Sequence, residues 1–296
     1  MNMTFAAKVK NEICMQEIDS ICCIRAQLAG MVSFAAYIKN NSIIIKTENI
    51  NVSHQFSRLV KRLYNLNTEQ TSDSGGVYNV GIFGMEALKI LRDIMLASIP
   101  IKIDERIILG ECCKRSFIQG AFLAAGSISA PEKGYHAEFV ANRYGVGEGF
   151  CKCLYNFAIH AKSTNRKGKY VFYIKNSGHI ENLLAVLGAH TQMMGLLNIK
   201  IEKELRNSTN RLVNCENANS EKTAEAAVAQ IQAIKTLDKK FGLDNLPPHL
   251  MAVAKMRLKN PEATLSDIAL DLGITKSGIN HRMRRIMQIS KEKTEI

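Results

Sequence analysis

The sequence predicts an α+β chain: a unit of helix, strands, helix, strands, helix that occurs twice about a pseudo-two-fold axis, followed by an all-α domain with helix-turn-helix spacing. Three observations lead there. Cys22, Cys23, Arg25 and Gly30 recur 90 residues later as Cys112, Cys113, Arg115 and Gly120. Between and after these copies, β-branched runs alternate with stretches of helical periodicity. From residue 246 onward only helical patterning remains. The expected division is a duplicated domain over 1–200, with repeats at about 20–98 and 110–190, a linker and connecting helix over 201–245, and a helix-turn-helix domain over 246–296.

Each repeat opens on an apolar helix rich in small residues, Arg25 to Phe34 and then Arg115 to Ala125. Runs that read as strands follow, Ser42 to Thr47 and His136 to Ala141. Next come helical stretches, Val52 to Asn65 with Phe56, Leu59, Val60 and Leu63 on one face, and Val146 to His160. A second strand lies at Val77 to Ile82 and at Lys169 to Lys175, and an amphipathic helix closes each copy, Met85 to Leu96 and Ile180 to Leu187. Glycine and alanine let two backbones approach closely, so the Gly30 and Gly120 helices are the natural interface between the copies. A polar, asparagine-rich stretch, Arg206 to Asn219, then precedes a helix from Glu221 to about Phe241 that Gly242 stops. Pro247 or Pro248 suits the first turn of a short helix, His249 to Lys259, that ends at Asn260 and Pro261.

Composition bounds the partners. The 296 residues carry 39 Lys and Arg against 27 Asp and Glu, a formal charge of +12. Such a surplus favours a polyanion, because each basic group laid on a phosphate releases a condensed counterion. The opening MNMTFAAKVKNEIC places charges where a signal peptide needs an apolar core, and no apolar run long enough to span a bilayer follows, so a soluble cytoplasmic protein with no membrane partner is expected. The eight cysteines include two adjacent pairs and one Cys-x-Cys, none with the two-to-four-residue gap of a zinc knuckle. Buried thiols acting as small hydrophobes are the expected reading, with no metal and no cofactor, and a metal or redox role is the alternative.

The segment TLSDIALDLGITKSGINHRMRRI carries helix-turn-helix spacing. Thr264 and Ser266 are candidate N-caps for a helix with Leu265, Ile268, Ala269 and Leu272 on its inner face. Ala269 is small where the second helix crosses, Gly273 supplies a positive φ at the turn, and Ile274 plugs it. Thr275 caps the second helix, whose inner face is Ile279, Met283 and Ile286. Its other residues, Lys276, Ser277, Asn280, His281, Arg282, Arg284 and Arg285, are the candidate DNA-binding set. From Lys276 to Met287 there are four Lys or Arg and no acid. Amides and guanidinium forks match base edges in a major groove and flanking charges match phosphates, which makes double-stranded DNA the expected partner.

Two resemblances sharpen these readings. IQGAFLAAGS, Ile118 to Ser127, and LAGMVSFAA, Leu28 to Ala36, resemble the LAGLIDADG helices of homing endonucleases, in which two such helices pack beneath a saddle of strands that straddles DNA. Aligned on that motif, Ala125 and Ala35 stand where the family has its metal-binding acid, with Leu123 and Ser33 at the other acidic position. No Asp or Glu occurs from Ala26 to Asn41 or from Ser116 to Pro131. Metal-assisted phosphodiester hydrolysis needs hard oxygen ligands, so no catalysis is expected. The run ITKSGINHRMRRI resembles the second helix of sigma-factor region 4, although Arg282 stands where many such helices are apolar.

FAAKVKNEIC at Phe5, CCKRSFIQGAFLAAGSISAPEKGYHAEF at Cys112, NRLVNCENANSEKT at Asn210 and TKSGINHRMRRI at Thr275 together resemble the bacterial WhiA family over nearly the whole chain. That resemblance implies a nucleoid-associated, transcription-factor-like protein tied to cell division and chromosome segregation and, in sporulating relatives, to sporulation. RNA polymerase or another regulatory protein is a further implied partner. Two rivals stay open: an adaptor whose basic tail docks an acidic protein, and an endonuclease that recruits carboxylates from elsewhere. The duplicated domain is open between a second DNA-binding surface and a protein-docking platform.

Overall fold

The structure, a computed structural model, describes residues 3–34, 37–39, 41–94 and 103–293. The chain divides into two compact units, Met1–Lys203 and Glu204–Ile296. The larger begins with α1 (Phe5–Cys14), which Thr4 caps through its hydroxyl on the Ala7 amide. The first repeat is α2 (Ile21–Ser33), β1 (Tyr37–Lys39), β2 (Ser42–Thr47), α3 (Ile50–Tyr64), β3 (Glu69–Ser72), β4 (Tyr78–Phe83) and α4 (Gly84–Ile94). The second is α5 (Glu111–Ala125), β5 (Gly126–Ile128), β6 (Ala137–Ala141), α6 (Tyr144–Tyr155), β7 (Lys162–Arg166), β8 (Lys169–Ile174) and α7 (Ser177–Leu187).

Both repeats form four-stranded antiparallel sheets of matching order, β1, β2, β4, β3 and β5, β6, β8, β7. Alternation sets one face of each inward: Ile43 and Ile45 opposite Ile82 and Val80, and Phe139 opposite Phe172. These faces share a single core with α2 and α5.

The α2 and α5 pair is the centre of that core, and its closeness follows from its glycines. A Cβ on Gly30 would overlap the Phe117 carbonyl oxygen, and one on Gly120 would overlap the Gln27 carbonyl oxygen. That reciprocity is what a two-fold relation between repeats requires. A buried amide chain fixes the register. Gln55 Nε2 donates to Gln27 Oε1 (2.6 Å), Gln27 Nε2 to Gln119 Oε1 (3.1 Å), and Gln119 Nε2 to Gln16 Oε1 (2.9 Å). Each of these amides is satisfied inside the fold, as burial demands.

Several boundaries differ from expectation. The helix expected over Val146 to His160 stops at Tyr155, because Ala158 takes a positive φ of 55° and the Ile159 amide turns back to the Leu154 carbonyl. The expected helix end at Leu96 lies outside the described residues, which resume at 103. The largest correction concerns the polar stretch Arg206 to Asn219. A helix, α8, runs unbroken from His190 to Phe241 through it, so no irregular linker precedes Glu221. Every residue from 206 to 219 is exposed, and asparagine in an exposed helix costs only a few tenths of a kcal/mol relative to good helix formers.

The smaller unit continues with α9 (Pro248–Lys259), α10 (Leu265–Asp271) and α11 (Lys276–Glu292). Pro247 is the N-cap of α9 and Pro248 its first residue, the position where a missing amide proton is harmless. Ile234 and Leu237 of α8, Leu250, Val253 and Ala254 of α9, Ile268 and Ala269 of α10, and Ile279, Met283 and Ile286 of α11 form its core.

Candidate nucleic-acid interface

The helix pair α10 and α11 is built from its ends. Thr264 accepts from the Asp267 amide, and the Asp267 carboxylate accepts from the Thr264 amide (2.9 Å) and hydroxyl (2.8 Å), a reciprocal capping box. Those hydrogen bonds hold the Asp267 carboxyl below its ordinary pKa. Ser266, the other candidate cap, lies within the first turn and caps nothing. Gly273 takes φ 63°, where a side chain would be strained, and the Ile274 amide bonds back to the Ala269 carbonyl at 2.9 Å. Thr275 then caps α11 by accepting from the Gly278 amide (3.1 Å).

With Ile279, Met283, Ile286 and Ser290 buried, the outward face of α11 is determined. At about 100° per residue, Ser277, His281, Arg284 and Arg285 lie along that face. All four are exposed, as is Lys276 at the N-terminal end. Asn280 and Arg282 fall on opposite flanks, about 200° apart around the helix, and both are half-buried. Asn280 Nδ2 donates to the Lys276 carbonyl (2.7 Å), so its amide is partly committed to its own helix. Thus four of the seven predicted residues share the outward face, two border it, and Lys276 is exposed at the N-terminal end of the helix.

Sequence reasoning overlooked Arg257 beneath this helix pair. It is 1% exposed, its Nη1 donates to the Ala263 carbonyl before α10, and burial lowers its pKa. Its Nε has no partner among the described residues. A buried arginine on a turn carbonyl ties α9 to the entry of α10. No periodicity announces that role.

At the C-terminal ends of α2 and α5, where the hydrolytic acids would stand, Ala125 closes α5, and Ala35 lies outside the described residues. Leu123 and Ser33, at the other acidic position, are buried. Aromatic packing fills the vicinity: the Phe34 ring lies 5.0 Å from Phe150 and 6.5 Å from Phe139, and Phe122 lies 5.7 Å from Phe139. Lys10 of α1 brings its amine to 5.9 Å from the Phe122 centroid. The adjoining surface pocket, which includes Lys10, Lys46, Glu48, Gly126 and Ser127 in its lining, offers one carboxylate against two amines. Burial pushes the Lys10 amine down to about 8.

Fold and site together define a helix-turn-helix protein carrying a duplicated LAGLIDADG-like scaffold. The WhiA LAGLIDADG-like domain model matches residues 114–206, and the WhiA C-terminal HTH domain model matches residues 209–290. The "Probable cell division protein WhiA" of Alkaliphilus metalliredigens is 33% identical over 309 aligned positions, covering 97% of this chain and 98% of its own. That of Clostridium perfringens is 37% identical over 312 positions, covering 98% of each. Full-length WhiA from Thermatoga maritima superposes with a TM-score of 0.61 at 24% identity, over 98% of this chain and 99% of its own. The chain belongs to the WhiA family.

Proposed function

We propose that this protein is a sequence-specific, double-stranded-DNA-binding transcriptional regulator acting in cell division, and not a nuclease. The observation that carries the reading is the exposed, acid-free face of α11 behind a properly turned α10. Ser277, His281, Arg284 and Arg285 stand on that face, with Lys276 at its N-terminal end. A helix seated in the major groove reads bases with such a face and holds phosphates with its margins. Lys276, Ser277, His281 and Arg284 are assigned to base edges, with Arg285 nearer the backbone. Asn280 and Arg282 contact the two groove walls.

The duplicated unit contributes phosphate contacts in this reading. Of the +12 formal charge, +8 falls in residues 1–203, with 24 Lys and Arg against 16 Asp and Glu. On the sheet of the second repeat, alternation places Lys162, Thr164 and Arg166 of β7 on one face with Tyr173, Val171 and Lys169 opposite. Lys175 adds its amine 5.2 Å from the Tyr173 ring. On the first sheet, Lys46 of β2 lies on the corresponding face. Hydrolysis is not assigned, because alanine at 125 supplies no oxygen for a divalent ion and the nearby pocket is dominated by amines.

The test is an anisotropy titration of the full chain on DNA fragments enriched from its own genome, run at several salt concentrations. A steep linear fall of log affinity with log salt is expected, with tighter binding to enriched than to scrambled sequence. Salt-insensitive or absent duplex binding refutes the reading, and magnesium-dependent nicking of plasmid refutes its non-catalytic part.

A further inference from the structure

Close packing of α2 and α5 also brings together the repeated cysteine pairs at their N-terminal ends. The sulfurs of Cys22, Cys23, Cys112 and Cys113 all lie within 4.8 Å of one another. We propose that these four thiols are the ligands of a single tetrahedral divalent cation of the zinc class, which clips the two repeats together at the start of their central helices.

Geometry carries the assignment. Four sulfurs each about 2.3 Å from a central zinc are separated by about 3.8 Å from one another. Cys112 and Cys113 are already 3.9 Å apart, and no pair needs to contract by more than about 1 Å. Two disulfides would instead draw the sulfurs into two separate close pairs, with bonds of about 2.05 Å. An iron–sulfur cube, whose cysteines bind different irons, would hold them further apart than they stand.

Exposure agrees with a cation site. Cys23 and Cys113 are buried beneath the cluster, whereas Cys22 and Cys112 are exposed, so an ion has both an anchor and an entry. All four belong to the first turns of α2 and α5, so one pair of helix ends presents them together. The Ser20 hydroxyl lies 2.8 Å from Cys22 Sγ. Binding releases the thiol protons to solvent, with no change of oxidation state. Spacing rules fail to find such a site because each helix supplies two adjacent sulfurs and the halves are 90 residues apart in sequence.

The full chain, purified under reducing conditions without chelator, is expected to hold about one equivalent of zinc, or of iron in the same four-sulfur environment, by elemental analysis. Cobalt added to chelator-stripped protein should give the strong ligand-to-metal band and red-region d–d bands of tetrahedral thiolate coordination. The Cys22→Ser, Cys112→Ser double variant, which alters only the exposed sulfurs, should lose both signals, and Cys215→Ser should keep them. Chelator should lower the Tm of the parent protein and leave the double variant unmoved. A pink octahedral cobalt spectrum, acid-labile sulfide, a mapped disulfide among the four, or ready titration of all four thiols in metal-replete protein overturns the assignment. The cobalt spectrum of the unsubstituted chain decides the matter even if the variant fails to fold.

Discussion

On α11, position around the helix separates residues that composition alone treats as equal. Arg284 stands on the outward face, whereas Arg282 is half-buried on a flank. Arg284→Ala is therefore expected to weaken binding to the preferred sequence by about 1 to 3 kcal/mol and to relax discrimination at one base pair. Arg282→Ala should weaken all sequences alike and reduce the salt slope by about one. Competition titrations with single-base variants of the site distinguish the two, and equal loss of discrimination in both variants contradicts the assignment. Lys10 is a residue-scale case in the other unit. Its amine is held down to about 8 by burial, while the unfolded chain protonates near the ordinary lysine value. The unfolded state binds more protons between about pH 8 and 10.5, so this group destabilises the fold fully below pH 8 and progressively less as pH rises. Lys10→Met should raise stability at pH 7 by roughly 1 to 2 kcal/mol, a gain that shrinks by pH 10 in parallel denaturant melts. A gain that persists unchanged at pH 10 would point to packing instead.

Among the elements, α10 depends most on its ends, since seven residues make fewer than two complete turns of hydrogen bonds. Thr264→Ala removes the capping box and is expected to cost about 1 kcal/mol, and Gly273→Ala a similar amount through the positive φ of the turn. Both should lower DNA affinity only as far as they lower Tm, which paired melting and binding curves would show. These features were legible in the sequence because capping and turn chemistry are local: Thr264, Gly273 and Thr275 announce themselves within a few residues. The duplicated order of helices and central strands was legible for a related reason, since Gly30 and Gly120 repeat with their neighbours. Edge strands were not. β3 and β7 are exposed along their whole length, EQTS and KSTNR, and carry no apolar alternation to mark them. The buried chain through Gln27, Gln55 and Gln119 was equally hidden, because each amide sits in a different segment and only the fold introduces them to one another. Arg257 and the four-sulfur cluster share that character. The placement of Arg284 and Arg282 on different sides of α11 needed only the helical period, but their unequal exposure needed the neighbouring helices.

For the whole molecule, the distribution of charge matters more than its total. The larger unit carries +8 of the +12, yet the helix proposed to read sequence lies in the smaller one. Separation of this kind predicts two kinds of loss. The phosphate contacts proposed for the sheet of the second repeat would supply affinity without sequence preference, each contributing about 0.9 to the slope of log affinity against log salt. Lys162 and Lys169 share the outer face of that sheet, in neighbouring strands joined by the Arg166 to Lys169 pairing. Both are exposed, so replacing them with glutamine leaves the core untouched. The double variant Lys162→Gln, Lys169→Gln should retain its Tm, lower affinity for enriched and scrambled duplexes by the same factor, and reduce the salt slope by up to about two. Changes on α11 should do the reverse, narrowing the difference between enriched and scrambled sequence. If the sheet variant binds both duplexes with unchanged affinity and slope, the duplicated unit does not touch DNA, and its basic face is left to a protein partner.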